Sequence, residues 1–405
     1  MRHSTLYYGL IHDLLRYCKD QDFNVHLDNK DDFKPYVPDT ENLRNNLPKI
    51  TKMNLSGDYE YQWNIIEKSL KQNRGLILSP TGSGKSCQIH IIMNYLLEEQ
   101  DKKILVVVPN VSLTEQLTKD FESYDVAPKD IYHKIFSGQE KTTGKRVIIS
   151  TYQSIYKLSE EWFSQFGAII IDEAHGASAD SIKGILEKMP NCKFRFGFTG
   201  TLNGTKTHLM CLKGLLGKVI KETTTAELMN SGVLSKLDID MRLFEYSKDE
   251  CEEVHRICND YQQEIKWLLK HERRNTEIVK LAMEQPNNTL VLFNLIKHGK
   301  TLKSMLDKEA SKYAAKVHYI AGSINVEQRE EMRKEVEQSD KPLYYDVYFD
   351  ECIIRFPEGT RIRLKNKQII KIEKINKEHE IDDDFIKEII DSQTYLVIPL
   401  ENKQN

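Results

Sequence analysis

The stretch Ser79-Pro80-Thr81-Gly82-Ser83-Gly84-Lys85-Ser86 collects the residue types that hold a polyphosphate. Gly82 and Gly84 let backbone N–H groups turn inward onto β- and γ-phosphates, Lys85 adds a mobile ammonium, and the Ser86 hydroxyl can ligate Mg2+. Ser79 stands where such loops begin with glycine, and it is small enough to permit the turn. Further along, Asp172-Glu173-Ala174-His175 follows the apolar run Ile169–Ile171. Asp172 can hold the Mg2+ shell, and Glu173 can orient and deprotonate an attacking water, since phosphoryl transfer asks a protein mainly for positioning and electrostatics. Thr199-Gly200-Thr201 offers hydroxyls that can hydrogen-bond the acidic pair and His175, so that loss of a γ-phosphate would be felt by a neighbouring element. Together these groups can bind ATP with Mg2+ and hydrolyse it.

Such groups need elements to aim them. Brief apolar runs at Leu76–Leu78, Ile104–Val108, Val147–Ile149, Ile169–Ile171 and Phe194–Phe198 read as strands buried on both faces of a parallel sheet. Between the first two, Ile89, Ile92, Met93, Leu96 and Leu97 fall on one helical face. The phosphate loop thus lies between the first strand and the first helix, whose positive end favours anions. The acidic pair and the Thr-Gly-Thr turn end two further strands, at the edge of an open α/β sheet where ligands sit.

A second αβ alternation starts after Thr223. Thr224 and Glu227 form a capping box that Gly232 closes, and Ile239 to Tyr246 reads as a strand. Tyr261, Ile265, Leu268 and Leu269 mark a polar helix. Thr289–Phe293 and Lys316–Ile320 are predicted strands, each followed by a helix, at His298–Lys308 and Asn325–Gln338. Upstream, Leu6–His26 mixes helical and alternating spacing, and Asp28–Lys49 reads as a linker. From Pro342 the texture is β-like. The expected divisions are 1–50, an accessory remnant with linker; 51–222, a doubly wound α/β domain; 223–341, the front half of a second; and 342–405, a β-rich tail.

With 405 residues, 58 Lys plus Arg and 61 Asp plus Glu, the net charge is −3, so any polyanionic partner must be gripped by local sites rather than by a global field. No apolar run approaches the roughly 18 residues of a membrane span. Met1–Asp20 has no secretory pattern. The seven cysteines form no C-x-x-C pair, which argues against zinc and against a disulfide framework. A cytoplasmic setting is expected, the host cytoplasm if the chain is phage-encoded.

Gln62, the phosphate loop, Asp172-Glu-Ala-His175 and Thr199-Gly-Thr201, in this order and spacing, resemble the superfamily 2 helicases. Glu161–Gly167, Asn191–Gly197 and Tyr261–Ile265 are similar to the UvsW type found in T-even phages, over about Thr5 to Lys341. The resemblance implies two RecA-like lobes of the P-loop NTPase class, with Gln62 reading adenine through an amide that both donates and accepts. It assigns DNA-backbone contacts to Pro109 and Asn110, to Thr151, Tyr152 and Gln153, and to Gly322 and Ser323 in the second lobe. Such contacts fix register without reading bases. The activity implied is an ATP-dependent helicase or translocase acting on branched or duplex DNA in recombination and at replication forks. Two other readings stand beside it: an ATP-gated DNA-binding module that does not translocate, and the motor part of a restriction-type enzyme.

Two departures from the family matter. Only Thr5–Asp28 resembles part of the family's small amino-terminal domain, which is therefore expected to be shortened here. After Lys341 neither motif V nor a Gln-x-x-Gly-Arg-x-x-Arg motif VI is found; the nearest string, Gly359-Thr-Arg361-Ile-Arg363, reads as a β-turn with solvated arginines. An arginine finger contributes roughly 10³ to 10⁵ in turnover. The expectation is ATP binding with poor hydrolysis, unless a complementing chain carries motifs V and VI. An unrelated end, half of a split protein and a separate β module are the three readings of the tail.

Overall fold

The computed structural model describes residues 6–26, 36–127, 130–136, 139–175, 179–202, 206–236, 238–240, 242, 244–285, 288–313, 316–321, 324, 328, 331–332, 335, 343–348, 361–363, 369–371 and 397–400. Two compact units divide the chain, Met1–Lys236 and Leu237–Asn405.

The first unit is built on seven parallel strands: β1 (Arg74–Leu78), β2 (Lys103–Val108), β3 (Tyr132–Ile135), β4 (Val147–Thr151), β5 (Phe166–Ile171), β6 (Phe194–Thr199) and β7 (Val219–Ile220), in the order β3-β4-β2-β5-β6-β1-β7. Its helices are α1 (Ile11–Asp20), α2 (Thr40–Ile50), α3 (Glu60–Gln72), α4 (Lys85–Glu99), α5 (Val111–Tyr124), α6 (Tyr152–Ile155), α7 (Glu160–Phe163), α8 (Ala179–Glu187), α9 (Lys206–Leu216) and α10 (Thr225–Asn230). The pleat sends alternate side chains to opposite faces. Ile104, Val106, Val108, Ile149 and Ile170 join Ile66, Ile92 and Phe121 in one core layer. Leu105, Val107, Ile148, Ile169 and Ile171 join Ile182, Leu212 and Leu216 in the other. Both faces are covered, which is why β2 after Lys103 and β5 carry no polar side chain, while β6 is buried throughout although it includes Arg195 and Thr199. This is the expected doubly wound α/β domain.

Three details differ from the sequence reading. The last part of the supposed linker is helix α2, capped by the Asp39 carboxylate, which accepts from the Asn42 N–H, and it buries Leu43 and Ile50 against the core. Strands β3 and β7 were not expected; β3 is an edge strand with only Ile135 buried. The capped helix α10, read as the opening of the second domain, falls within the first unit.

The second unit carries β9 (Asn288–Phe293), β10 (Lys316–Ile320), β11 (Leu343–Tyr348) and β14 (Val397–Leu400) in the order β10-β11-β9-β14. The first three are parallel and β14 is antiparallel to β9. Strand β11 thus extends the second parallel sheet beyond residue 341. Helices α11 (Lys248–Ile257) and α12 (Tyr261–Lys270) come first, and α13 (Glu272–Met283) and α14 (Ile296–Ala310) bury Val279, Ala282, Leu302 and Leu306 with Val291 of β9. Of the expected strand Ile239–Tyr246, only β8 (Asp238–Asp240) forms. It pairs with β12 (Arg361–Arg363), which pairs in turn with β13 (Ile369–Lys371). Arg361 to Arg363 is therefore a strand and not a turn. Most of the helix expected at Asn325–Gln338 lies outside the described residues.

Candidate nucleotide site and neighbouring strand-end turns

Strand β1 ends at Leu78, and the Ser79 N–H donates to the Thr199 carbonyl at 2.9 Å, tying the loop entrance to the end of β6. Within the loop, Gly82 and Gly84 have φ of +78° and +82°, the left-handed region in which glycine carries no Cβ penalty. The Ser83 hydroxyl donates to the Pro80 carbonyl at 2.6 Å and meets the Ser79 hydroxyl at the same distance. From α3, Gln62 is buried against the loop: a Cβ on Gly84 would sit 2.5 Å from its Nε2. The neighbouring Tyr61 hydroxyl donates to the Ser83 carbonyl at 2.8 Å.

Asp172 and Glu173 leave β5 between its two neighbours, with the Asp172 N–H on the Val107 carbonyl and the Ala174 N–H on the Phe198 carbonyl, each 2.8 Å. Glu173 has φ of +48°, which for a residue with a side chain stores strain typical of functional turns. That turn aims Glu173 at two partners. Its Oε1 is 3.3 Å from Lys85 Nζ, and its Oε2 is 3.3 Å from His175 Nδ1. His175 Nδ1 also lies 2.7 Å from Thr199 Oγ1, which donates to the Thr201 carbonyl at 2.7 Å. A methyl on Gly200 would meet Thr81 Oγ1 at 3.3 Å and Lys85 Nζ at 3.7 Å. Lys85, Glu173, His175 and Thr199–Thr201 therefore form one contiguous polar chain.

Burial pushes the Asp172 carboxyl up to about 6, the adjacent Glu173 adds to the rise, and Lys85 opposes it. A divalent cation would favour its ionised form. Asp172, close enough to Lys85 to feel its charge, fits a cation such as Mg2+, which is held through one or two carboxylates while phosphates supply other ligands. Ser86 is engaged from α5: the Tyr124 hydroxyl donates to its Oγ at 3.4 Å, and a hydrogen bond from Ser86 draws down the carboxyl of Asp120, which burial pushes up. These contacts use one lone pair and the proton of the hydroxyl, so Tyr124 competes with a cation for its electron density while one lone pair is left for ligation. The contacts of Tyr61, Asp120 and Tyr124, and that of Leu234, which lies 2.7 Å from where a Cβ on Gly82 would stand, were missed from sequence. No spacing encodes them.

The strand-end turns assigned to DNA lie on the same sheet edge. Asn110 caps α5, its Oδ1 accepting from the Leu113 N–H at 2.9 Å. Gln153 is exposed and its Nε2 donates to the Pro109 carbonyl at 3.4 Å, joining the ends of β2 and β4. Thr151 is turned inward, 4% exposed, with its hydroxyl 2.9 Å from Ser154 Oγ, while Tyr152 packs partly buried against the core. Gly322 and Ser323 lie outside the described residues.

A parallel sheet with a phosphate loop after its first strand and an acidic pair ending a central strand defines a P-loop NTPase lobe of the RecA-like class. The family described as type III restriction enzyme, res subunit, matches residues 56–204. The chain is 30% identical over 341 residues to the ATP-dependent DNA helicase UvsW of Enterobacteria phage T4, covering 80% of this chain and 66% of that protein. It is 29% identical over 142 residues to the DNA 3'-5' translocase XPB2 of Sulfurisphaera tokodaii, covering 35% of this chain and 30% of that one. The crystal structure of T4 UvsW matches with a TM-score of 0.50 and 26% identity, over 88% of this chain and 71% of that chain. In sequence and fold the chain is similar to the superfamily 2 helicases of the UvsW type. It spans 66% of the length of the T4 relative. No helix among the described residues is long and apolar enough to cross a membrane.

Proposed function

We propose that this chain is an ATP-driven DNA translocase or helicase that remodels branched or duplex DNA, as in recombination and at replication forks. The observation that carries the reading is the unbroken chain Lys85–Glu173–His175–Thr199–Thr201, which links the phosphate loop, the water-orienting acid and a turn at the end of the adjacent strand. In this reading the phosphate loop and Lys85 hold the triphosphate, with Gln62 against the adenine. Asp172 and Ser86 would hold Mg2+, which when bound neutralises charge on the phosphate oxygens. Glu173 positions and deprotonates the water, and His175 passes the change at Glu173 to Thr199. Pro109, Asn110 and Gln153, with Gly322 and Ser323 in the second unit, take the DNA backbone; Thr151 contributes through main chain, since its hydroxyl is engaged. The test is ATP turnover by the purified chain with and without forked DNA, alone and with a polypeptide supplying motifs V and VI. Stimulation by DNA supports a motor. Tight ATP-dependent DNA binding with no turnover in either mixture would leave a clamp.

A further inference from the structure

At the opposite edge of the first sheet from the phosphate loop, the chain leading into β7 and the end of α9 face the start of α1 across a cavity of about 440 Å³. Its lining includes His12, Asp13, Arg16, Lys213 and Lys218. Arg16 pairs with Asp13, which cancels one charge. Among the described residues Lys213 and Lys218 have no carboxylate partner, and Lys218 is close enough to His12 to help burial hold the imidazole pKa below its ordinary value. At the same end of the sheet, Arg74 and Arg195 stand side by side at the starts of β1 and β6, likewise without a carboxylate among the described residues. Their nitrogens reach backbone carbonyls at Met189 and Cys192, and the Arg74 guanidinium lies 4.8 Å from the centre of the Tyr8 ring. In a chain of net charge −3 this is a concentrated positive site.

The cavity has fixed walls. A Cβ on Gly9 would collide with the Lys213 carbonyl oxygen, and one on Gly214 would stand 2.9 Å from Tyr7 Cβ, so glycine at both positions lets the amino-terminal segment press onto α9. The Tyr7 hydroxyl fastens it further by donating to Glu187 at 2.7 Å. The cation-bearing residues are thus held by packed backbone rather than strewn on a loose surface.

We infer that this cavity is a second nucleic-acid contact, binding backbone phosphates of a duplex DNA arm through Lys213 and Lys218, with His12 and Arg16 at its rim. The inference rests on the translocase reading, and it adds a grip remote from the strand-end turns. A motor that acts on branched DNA must hold one arm while it moves another, and phosphates at this edge do not compete with ATP at the other.

The test compares the full chain with the double variants Lys213→Glu/Lys218→Glu and Lys213→Gln/Lys218→Gln, the second guarding against misfolding by the first. Affinity for a labelled duplex is measured across salt concentrations. Each lost phosphate contact lowers the slope of log K against log salt by about 0.9, so both variants should fall by about 2 and bind at least roughly ten-fold more weakly at low salt. Their ATP affinity should match the parent. A parent and variants that bind DNA with equal slopes overturn the cavity assignment alone. Orthophosphate that binds the parent in calorimetry, with the DNA slope unaltered in the variants, makes this a free-anion site and also overturns it. A parent with no DNA affinity defeats the translocase reading first, and this inference with it.

Discussion

Lys85 Nζ lies 3.3 Å from Glu173 Oε1, so the cation that should meet a γ-phosphate is shared with the acid that should orient water. Replacing either end separates binding from chemistry. Lys85→Ala removes a charge-assisted contact of about 1.5 to 3 kcal/mol and should weaken ATP binding ten- to hundred-fold. Glu173→Gln should bind ATP as tightly as the parent and lose about 10² to 10⁴ in turnover. Fluorescent-nucleotide titration beside single-turnover hydrolysis checks both; equal ATP affinity in Lys85→Ala and the parent would show the phosphate site to be elsewhere.

Thr199 holds both His175 and the Thr201 carbonyl through one hydroxyl. Thr199→Val keeps the buried volume and cuts the chain after His175. Basal ATP turnover should persist, while stimulation by DNA should drop by about 5- to 150-fold, the usual range of a site-to-site coupling. A variant with unchanged stimulation would exclude this route.

Ser86 is engaged by Tyr124 and Asp120. Tyr124→Phe removes one of the two holds, worth about 0.5 to 1 kcal/mol for a long neutral hydrogen bond. The Mg2+ concentration for half-maximal nucleotide binding should therefore fall two- to five-fold. A rise would mean that Tyr124 supports the ligating rotamer instead of opposing it.

In the second unit His298 is 2% exposed, and its Nε2 meets Asn275 Oδ1 at 2.8 Å. Burial, with Arg274 nearby, lowers its pKa from 6.5 to about 4. Between those values the unfolded chain binds the proton that the folded one refuses, so stability is full above the upper value and is lost as pH falls towards the lower. The loss is about 3 kcal/mol by proton linkage. Urea melts of the parent and His298→Gln at pH 7 and pH 4.5 check this: the parent should weaken more. Equal losses would assign the acid sensitivity to other groups.

Thr151 and Gln153 should part company. Gln153→Ala should weaken DNA binding about equally across sequences, because backbone contacts carry no base code. Thr151→Ala should register in thermal stability, since its hydroxyl is turned onto Ser154. Strong sequence dependence in the Gln153 variant's loss would count against a phosphate contact.

What could be read from sequence follows burial. Ile104–Val108 and Phe194–Phe198 are covered on both faces, so their composition announces them, and the residues that end such strands are thereby placed on one edge. Strand β3 reads Tyr-His-Lys-Ile at the sheet margin and buries only its last residue, leaving no run to find. Helix α2 hides an apolar stripe, Leu43, Leu47 and Ile50, among Asn, Arg, Glu and Pro48, a composition typical of loops. At the site, Lys85, Glu173 and Thr199 meet because strand ends converge. Tyr124, Asp120 and Leu234 reach it from elements whose placement depends on tertiary packing that local pattern does not carry.

Gly200 stands so close beneath Thr81 and Lys85 that even a methyl group would be tight there. The turn after β6 and the phosphate loop are thus immediate neighbours, and a side chain at residue 200 would have to push Thr81 aside.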